Sequence, residues 1–156
     1  MRGAGAGTVS DPYELERFVA AQASVYSRVV AELTEGHKRS HWMWLIFPQV
    51  AGLGFSAMAQ RFAIYSRAEA EAYLAHRVLG PRLLECTRLV LAVKNRTIHD
   101  IFGSPDDMKF GSSMTLFGAV PANPIFAQAI SAYCGGKPDR ATLDRLKAMG
   151  SERPQG

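Results

Sequence analysis

Asp11-Pro12-Tyr13-Glu14-Leu15 opens the stretch that decides the fold, and Gly36 closes it. Asp11 is a capping residue, Pro12 fits a first helical position, and Glu14 sits at capping-box spacing. Behind them Leu15, Phe18, Val25, Val29 and Leu33 recur at helical intervals, with Tyr26 beside them and Gln22 as one polar interruption. A glycine at the end of such a stripe is a stop signal. The spacing predicts a helix over about residues 12–34.

The same punctuation recurs downstream. Ser66-Arg67-Ala68-Glu69 is a capping box that predicts a helix at about 67–76. Gly80-Pro81 starts another, at about 81–94. Thr97-Ile98-His99-Asp100 caps a short turn ending at Gly103. Ser104-Pro105-Asp106-Asp107 opens a further helix, with both acids suited to the positive end of its dipole. Its course through Lys109-Phe110-Gly111-Ser112-Ser113 is weak, because Gly and Ser are poor helix formers. Asn123-Pro124 opens a segment that stops near Gly135-Gly136, and Asp139 caps a last helix at roughly 140–149. The apolar run Trp42–Phe47 reads as a short strand or a buried helical turn, closed by Pro48. Gly52, Gly54 and Ser56 then read as loop. Strand-like alternation is scarce. The expected fold is mainly α: a compact single-domain bundle of about six to seven helices with irregular loops, over residues 11–150. Residues 1–10 read as a flexible lead-in and 151–156 as a flexible tail.

Composition narrows the function classes. At 156 residues and 47% hydrophobic content, the chain can build a core without metal or disulfides. Two cysteines, Cys86 and Cys134, are too few for a disulfide framework. No apolar run approaches the roughly 20 residues of a membrane helix, and the Gly-rich start lacks the apolar core of a signal peptide. A cytoplasmic protein is expected. The net charge of +4 suits an anionic partner, but the basic residues are scattered, which argues against nucleic acid.

Two segments carry the candidate chemistry. In the first, Lys38-Arg39-Ser40-His41-Trp42-Met43-Trp44 runs into Ile46-Phe47-Pro48-Gln49. Trp rings offer faces for stacking. Lys38 and Arg39 suit phosphates. Gln49 can read an amide or a base edge, and His41 can exchange a proton near neutrality. The competing reading is a core plug with solvated cations. In the second, Asp106 and Asp107 suit acid–base work or simply charge a helix start, and Lys109, Ser112 and Ser113 follow. No Walker-type loop, complete dinucleotide fingerprint, two-His helical motif or serine-hydrolase elbow is present, so no cofactor or metal is expected.

Together these blocks resemble the signature of a bacterial family catalogued as domain of unknown function 1810. Asp11-Pro12-Tyr13 with Leu15, Arg17 and Phe18 is similar to its opening, and Gly52-Leu53-Gly54 through Met58-Ala59-Gln60-Arg61 to its central loop. His76, Leu79-Gly80 and Arg82-Leu83 match its next block. Ile101-Phe102-Gly103-Ser104-Pro105-Asp106-Asp107, then Ser112-Ser113-Met114-Thr115-Leu116-Phe117, match its last. The resemblance spans about residues 11–147 and implies a mainly helical single domain with no established activity. Some members carry the label "calpastatin", but this short globular chain is unlike a long disordered repeat inhibitor.

Signatures so rich in polar and aromatic residues exceed what a core needs. They lead to an expected pocket for a small anionic, nucleotide-like ligand. In its catalytic version, an ADP-ribose-type glycohydrolase, His41, Asp106 and Asp107 act on the bond. Lys38, Arg39, Trp42, Trp44, Gln49, Lys109, Ser112 and Ser113 bind the ligand. The alternative is a non-catalytic binding or protein-interaction module using the same residues. Whether the two segments meet in space, and the oligomeric state, are open at this level.

Overall fold

A computed structural model describes residues 11–120 and 123–151, so the expected flexible lead-in and the tail beyond Ser151 lie outside the described residues. Ten helices run through the described chain: α1 Glu16–Ala23, α2 Tyr26–Glu35, α3 Met43–Ile46, α4 Ala57–Arg61, α5 Arg67–Ala75, α6 Leu79–Ala92, α7 Ile98–Phe102, α8 Asp106–Gly118, α9 Ile125–Tyr133 and α10 Arg140–Ser151. The mainly helical expectation holds. The expected six to seven helices become ten, for three local reasons.

First, the helix expected over 12–34 is two. Glu14 adopts φ 53, so α1 starts only at Glu16, with Asp11 Oδ1 and Oδ2 accepting the Leu15 and Glu16 amides at 2.7 and 3.0 Å. Ser24 and the β-branched Val25, both weak helix formers, hold the break between α1 and α2. Second, the run from Trp42 is the buried helical turn, α3, ended at Phe47 as Pro48 requires. Third, the loop after Gly54 holds a short helix, α4, capped by Ser56 Oγ accepting the Ala59 amide.

Capping signals that act within four residues are realised. Ser66 accepts the Glu69 amide, Thr97 and Asp100 form a reciprocal capping box, and Asp139 Oδ2 accepts the Thr142 amide at 3.1 Å. The Pro105 start of α8 makes no side-chain cap bond, although Asp106 and Asp107 occupy its first turn.

α8 is the axis of the molecule. Every residue from Ser112 to Phe117 is buried, and the helix packs against α5, α7, α9 and α10. A helix enclosed this way draws its stability from burial, which overrides the poor propensity of Gly111, Ser112 and Ser113. Around it runs a chain of rings: Trp42 against Phe102 at 6.4 Å, Phe102 stacked on Phe110 at 5.2 Å, Phe110 edge-on to Phe47 at 5.2 Å, and Tyr73 against Phe117 at 5.3 Å. Such pairs add about 0.5–1.5 kcal/mol each beyond the area they bury. A single parallel bridge, Val50 to Ile64, ties the chain after α3 to the chain after α4. No helix among the described residues is long and apolar enough to cross a membrane.

Candidate functional site

The segment after α2 is organised by a residue outside it. Glu32, on the inner face of α2, is buried. Its Oε1 accepts the Arg39 amide at 2.8 Å, the Ser40 amide at 3.2 Å and Trp42 Nε1 at 2.8 Å, and its Oε2 accepts Ser40 Oγ at 2.6 Å. Burial by itself would raise the Glu32 pKa. The Ser40 hydroxyl, the Arg39 amide, the Trp42 indole and the Ser40 amide together outweigh it and hold the pKa down at about 2. One carboxylate therefore fixes the loop from Lys38 to Trp42. Nothing in the spacing around Glu32 advertises this, since its partners lie seven to ten residues on.

The two signature segments meet. Lys38 Nζ lies 2.8 Å from Asp106 Oδ2, with the Lys38 side chain 8% exposed, and 5.1 Å from the centroid of the Trp42 ring. The Lys38 amide donates to Ile101 O at 2.7 Å. Lys109 Nζ sits 3.5 Å from Asp106 Oδ1 and 4.7 Å from the Trp44 ring. Asp106 is thus the shared anion of two lysines, each over a tryptophan, so that two ion pairs and two cation–π contacts meet at one point.

The other expected residues take separate places. Asp107 faces His99, with Nδ1 3.0 Å from Oδ2, and its Oδ1 accepts the Met108 amide. The exposed Arg39 side chain pairs with Glu35. The His41 ring is exposed and pairs with no described residue. Ser112 is buried, its Oγ 3.1 Å from Asp139 Oδ2 and 3.2 Å from Met108 O, so it anchors the cap of α10. The Ser113 hydroxyl is fully buried with no hydrogen-bond partner among the described residues.

Trp44, whose ring meets Lys109, and Gln49 also line a cleft of about 390 Å³ formed by the loop after α3, α4 and α10. The bridge to Ile64 sets its floor, with Gln49 O accepting the Ile64 amide at 2.9 Å and the Ala51 amide donating to Ile64 O at 2.8 Å. Arg145 reaches in from α10, Nε donating to Ala51 O at 3.1 Å. Gly52 beneath it has φ 98, and a Cβ there would stand 2.5 Å from the guanidinium. Phe55, 82% exposed, and Tyr65 add aromatic surface, while the Tyr65 hydroxyl donates to Gln60 O at 2.8 Å. Sequence reasoning missed Arg145, Phe55 and Tyr65. The Gly52-Leu53-Gly54 block was the available signal, because a glycine at positive φ marks a loop shaped for a neighbour.

Two further clefts are less suited to a ligand. One, beside Tyr13 and Arg61, is built around Arg17. The donors of Arg17 are already taken by Arg61 O, Tyr13 O, Glu14 O, Ala63 O and Glu69 Oε2. The other, beside Asp107 and Lys137, holds Cys134, whose thiol is pushed upward by burial and so stays protonated. Among the described residues no three His, Cys, Asp or Glu side chains gather to hold a metal ion.

Compared with known proteins, residues 12–146 match the family model described as a protein of unknown function, DUF1810. A crystal structure of the conserved hypothetical protein Rv1873 from Mycobacterium tuberculosis is similar at 55% identity, with a TM-score of 0.86, over 88% of this chain and 99% of that one. No curated protein matches.

Proposed function

The chain belongs to the DUF1810 family of unknown function, and from that membership and the geometry above we propose that it is a non-catalytic binding module for a small, planar, anionic ligand. The observation that carries this reading is one cleft holding Trp44, Gln49 and Arg145: a ring for stacking, a carboxamide and a guanidinium. Neither Gln49 nor Trp44 uses its side-chain polar group in a hydrogen bond within the described residues, and no described carboxylate pairs with Arg145. Polar groups converging in a mostly apolar recess are the usual makings of a small-molecule site.

The same geometry weighs against the glycohydrolase version. A carboxylate that activates water must be free to take a proton near the reacting atom. Asp106 is held by Lys38 and Lys109, Asp107 by His99, and neither lines the cleft. His41 is among the described partners of neither. Lys38, Lys109 and Asp106 then work as a strut that sets the back of Trp42 and Trp44 rather than as a phosphate grip.

A thermal-shift screen with nucleotides, NAD, ADP-ribose and small aromatic acids tests the reading, followed by product analysis for any ligand found. A ligand at about 100 times its Kd adds roughly 2.7 kcal/mol, or several degrees for a domain of this size. The expected result is a shift that disappears in Trp44→Ala, with no product formed. A flat panel, or a shift indifferent to Trp44, overturns it. Turnover abolished by alanine at Asp106 and Asp107 restores the hydrolase.

A further inference from the structure

Resting on the cleft being a binding site, we infer that its ligand is a singly charged aromatic carboxylate, gripped by Arg145 with its ring on Trp44. Arg145 is the one charged side chain among the described residues that line the cleft. The cations around it have other partners: Lys109, 4.7 Å from the Trp44 ring, pairs with Asp106, and Arg61 lies over the Phe62 ring and lines the neighbouring cleft instead. A pyrophosphate would bring a second charge into a recess with no second cation, and desolvating an unmatched charge is costly. A carboxylate needs one planar fork of donors, which a guanidinium supplies in bidentate fashion.

Arg145 is also held ready. Its Nε is fixed on Ala51 O at 3.1 Å, so the terminal amino groups keep a set direction. Gly52 leaves the space the guanidinium lies in, since any Cβ would meet it at 2.5 Å. Phe55, Phe62 and Met149 add apolar wall, and Gln49 and Gln60 contribute neutral carboxamides, Gln49 with its carboxamide open to a ring substituent. About 390 Å³ lies at the small end of ligand sites, which suits one or two fused rings better than a dinucleotide.

Calorimetric titration of the full chain with benzoate, nicotinate and 2-naphthoate, each beside its neutral carboxamide, and with AMP and ADP-ribose, tests the assignment. At least one carboxylate is expected to bind about tenfold or more tightly than its carboxamide and than AMP. Arg145→Gln removes that preference, Gly52→Ala reduces it by displacing the guanidinium, and Trp44→Ala weakens acid and amide alike. Circular dichroism and thermal midpoints confirm that the Arg145→Gln protein is folded. A carboxylate preference that persists in Arg145→Gln overturns the assignment. AMP or ADP-ribose binding more tightly than every carboxylate, in a Trp44-dependent way, overturns it too but leaves the binding module standing. No binding by any probe, together with a flat thermal panel, removes both.

Discussion

Trp42 and Trp44 stand two residues apart in the chain and are put to opposite uses. Trp42 is 1% exposed, gives its indole N–H to Glu32, and packs against Phe47 and Phe102. Trp44 is half-buried, keeps its indole N–H out of the described hydrogen bonds, and forms a wall of the cleft. The start of α3 makes the difference, because Trp42 precedes the helix with a non-helical backbone (φ −142) and turns its indole to Glu32, while Trp44 lies within the helix and reaches the cleft. In the first half of the signature, Lys38, Ser40 and Trp42 are absorbed in holding the loop together, while Arg39 and His41 stay exposed. In the second half Leu45, Ile46 and Phe47 are buried, and Trp44 and Gln49 alone turn to the cleft. A motif dense in polar and aromatic residues is therefore partly a folding instruction and partly a binding surface.

The largest expected break in this contrast is Trp42→Ala. It removes a fully buried ring and orphans a buried carboxylate, at a cost of about 3–5 kcal/mol. Trp44→Ala should cost about 1–2 kcal/mol while losing ligand binding. Urea denaturation of both variants checks it, and equal losses would erase the distinction between the two halves.

Acid titration probes Glu32. Its folded pKa of about 2 lies below the ordinary 4.5, so its contribution is complete above about pH 4.5 and fades as pH falls through 4 toward 2. A lowering of that size corresponds to at most about 3 kcal/mol. Glu32→Gln should be less stable at neutral pH and show a flatter pH dependence across that window, measured by denaturation at successive pH values.

Asp106 sharpens the comparison from the side of α8. If it braces Lys38, Asp106→Ala leaves a mostly buried ammonium unpaired and costs roughly 2 kcal/mol. Pairing it with Lys38→Met should recover much of the loss, a non-additivity that a purely catalytic carboxylate would not show. The smallest effect, and the only gain, is expected at Ser113. Its buried hydroxyl has no partner among the described residues, so Ser113→Ala should raise stability by a few tenths to about 1 kcal/mol in the same assay.

What could be read in advance follows from distance along the chain. Ser66, Thr97 and Asp139 announced their helices because a cap acts on amides within three residues. α8 was faint because its strength comes from the neighbours that bury it rather than from Gly111, Ser112 and Ser113 themselves. In the site, Trp44 and Gln49 were named because their types are conspicuous. Glu32 was not, being one of two acids on its helix, the other of which, Glu35, is exposed. Arg145 acts on Ala51 from 94 residues away, and no local pattern encodes such a meeting.

The Lys38–Asp106 pair also gives the molecule a built-in reporter. An amine-reactive reagent needs an accessible amine, and Lys38 is paired with Asp106 and nearly enclosed, whereas Lys94 and Lys137 stand exposed. Acylation at Lys94 and Lys137 proceeds on the folded protein, while Lys38 must wait for the loop to lift from α8. The lag of that one modification behind the others clocks how often this corner of the structure opens.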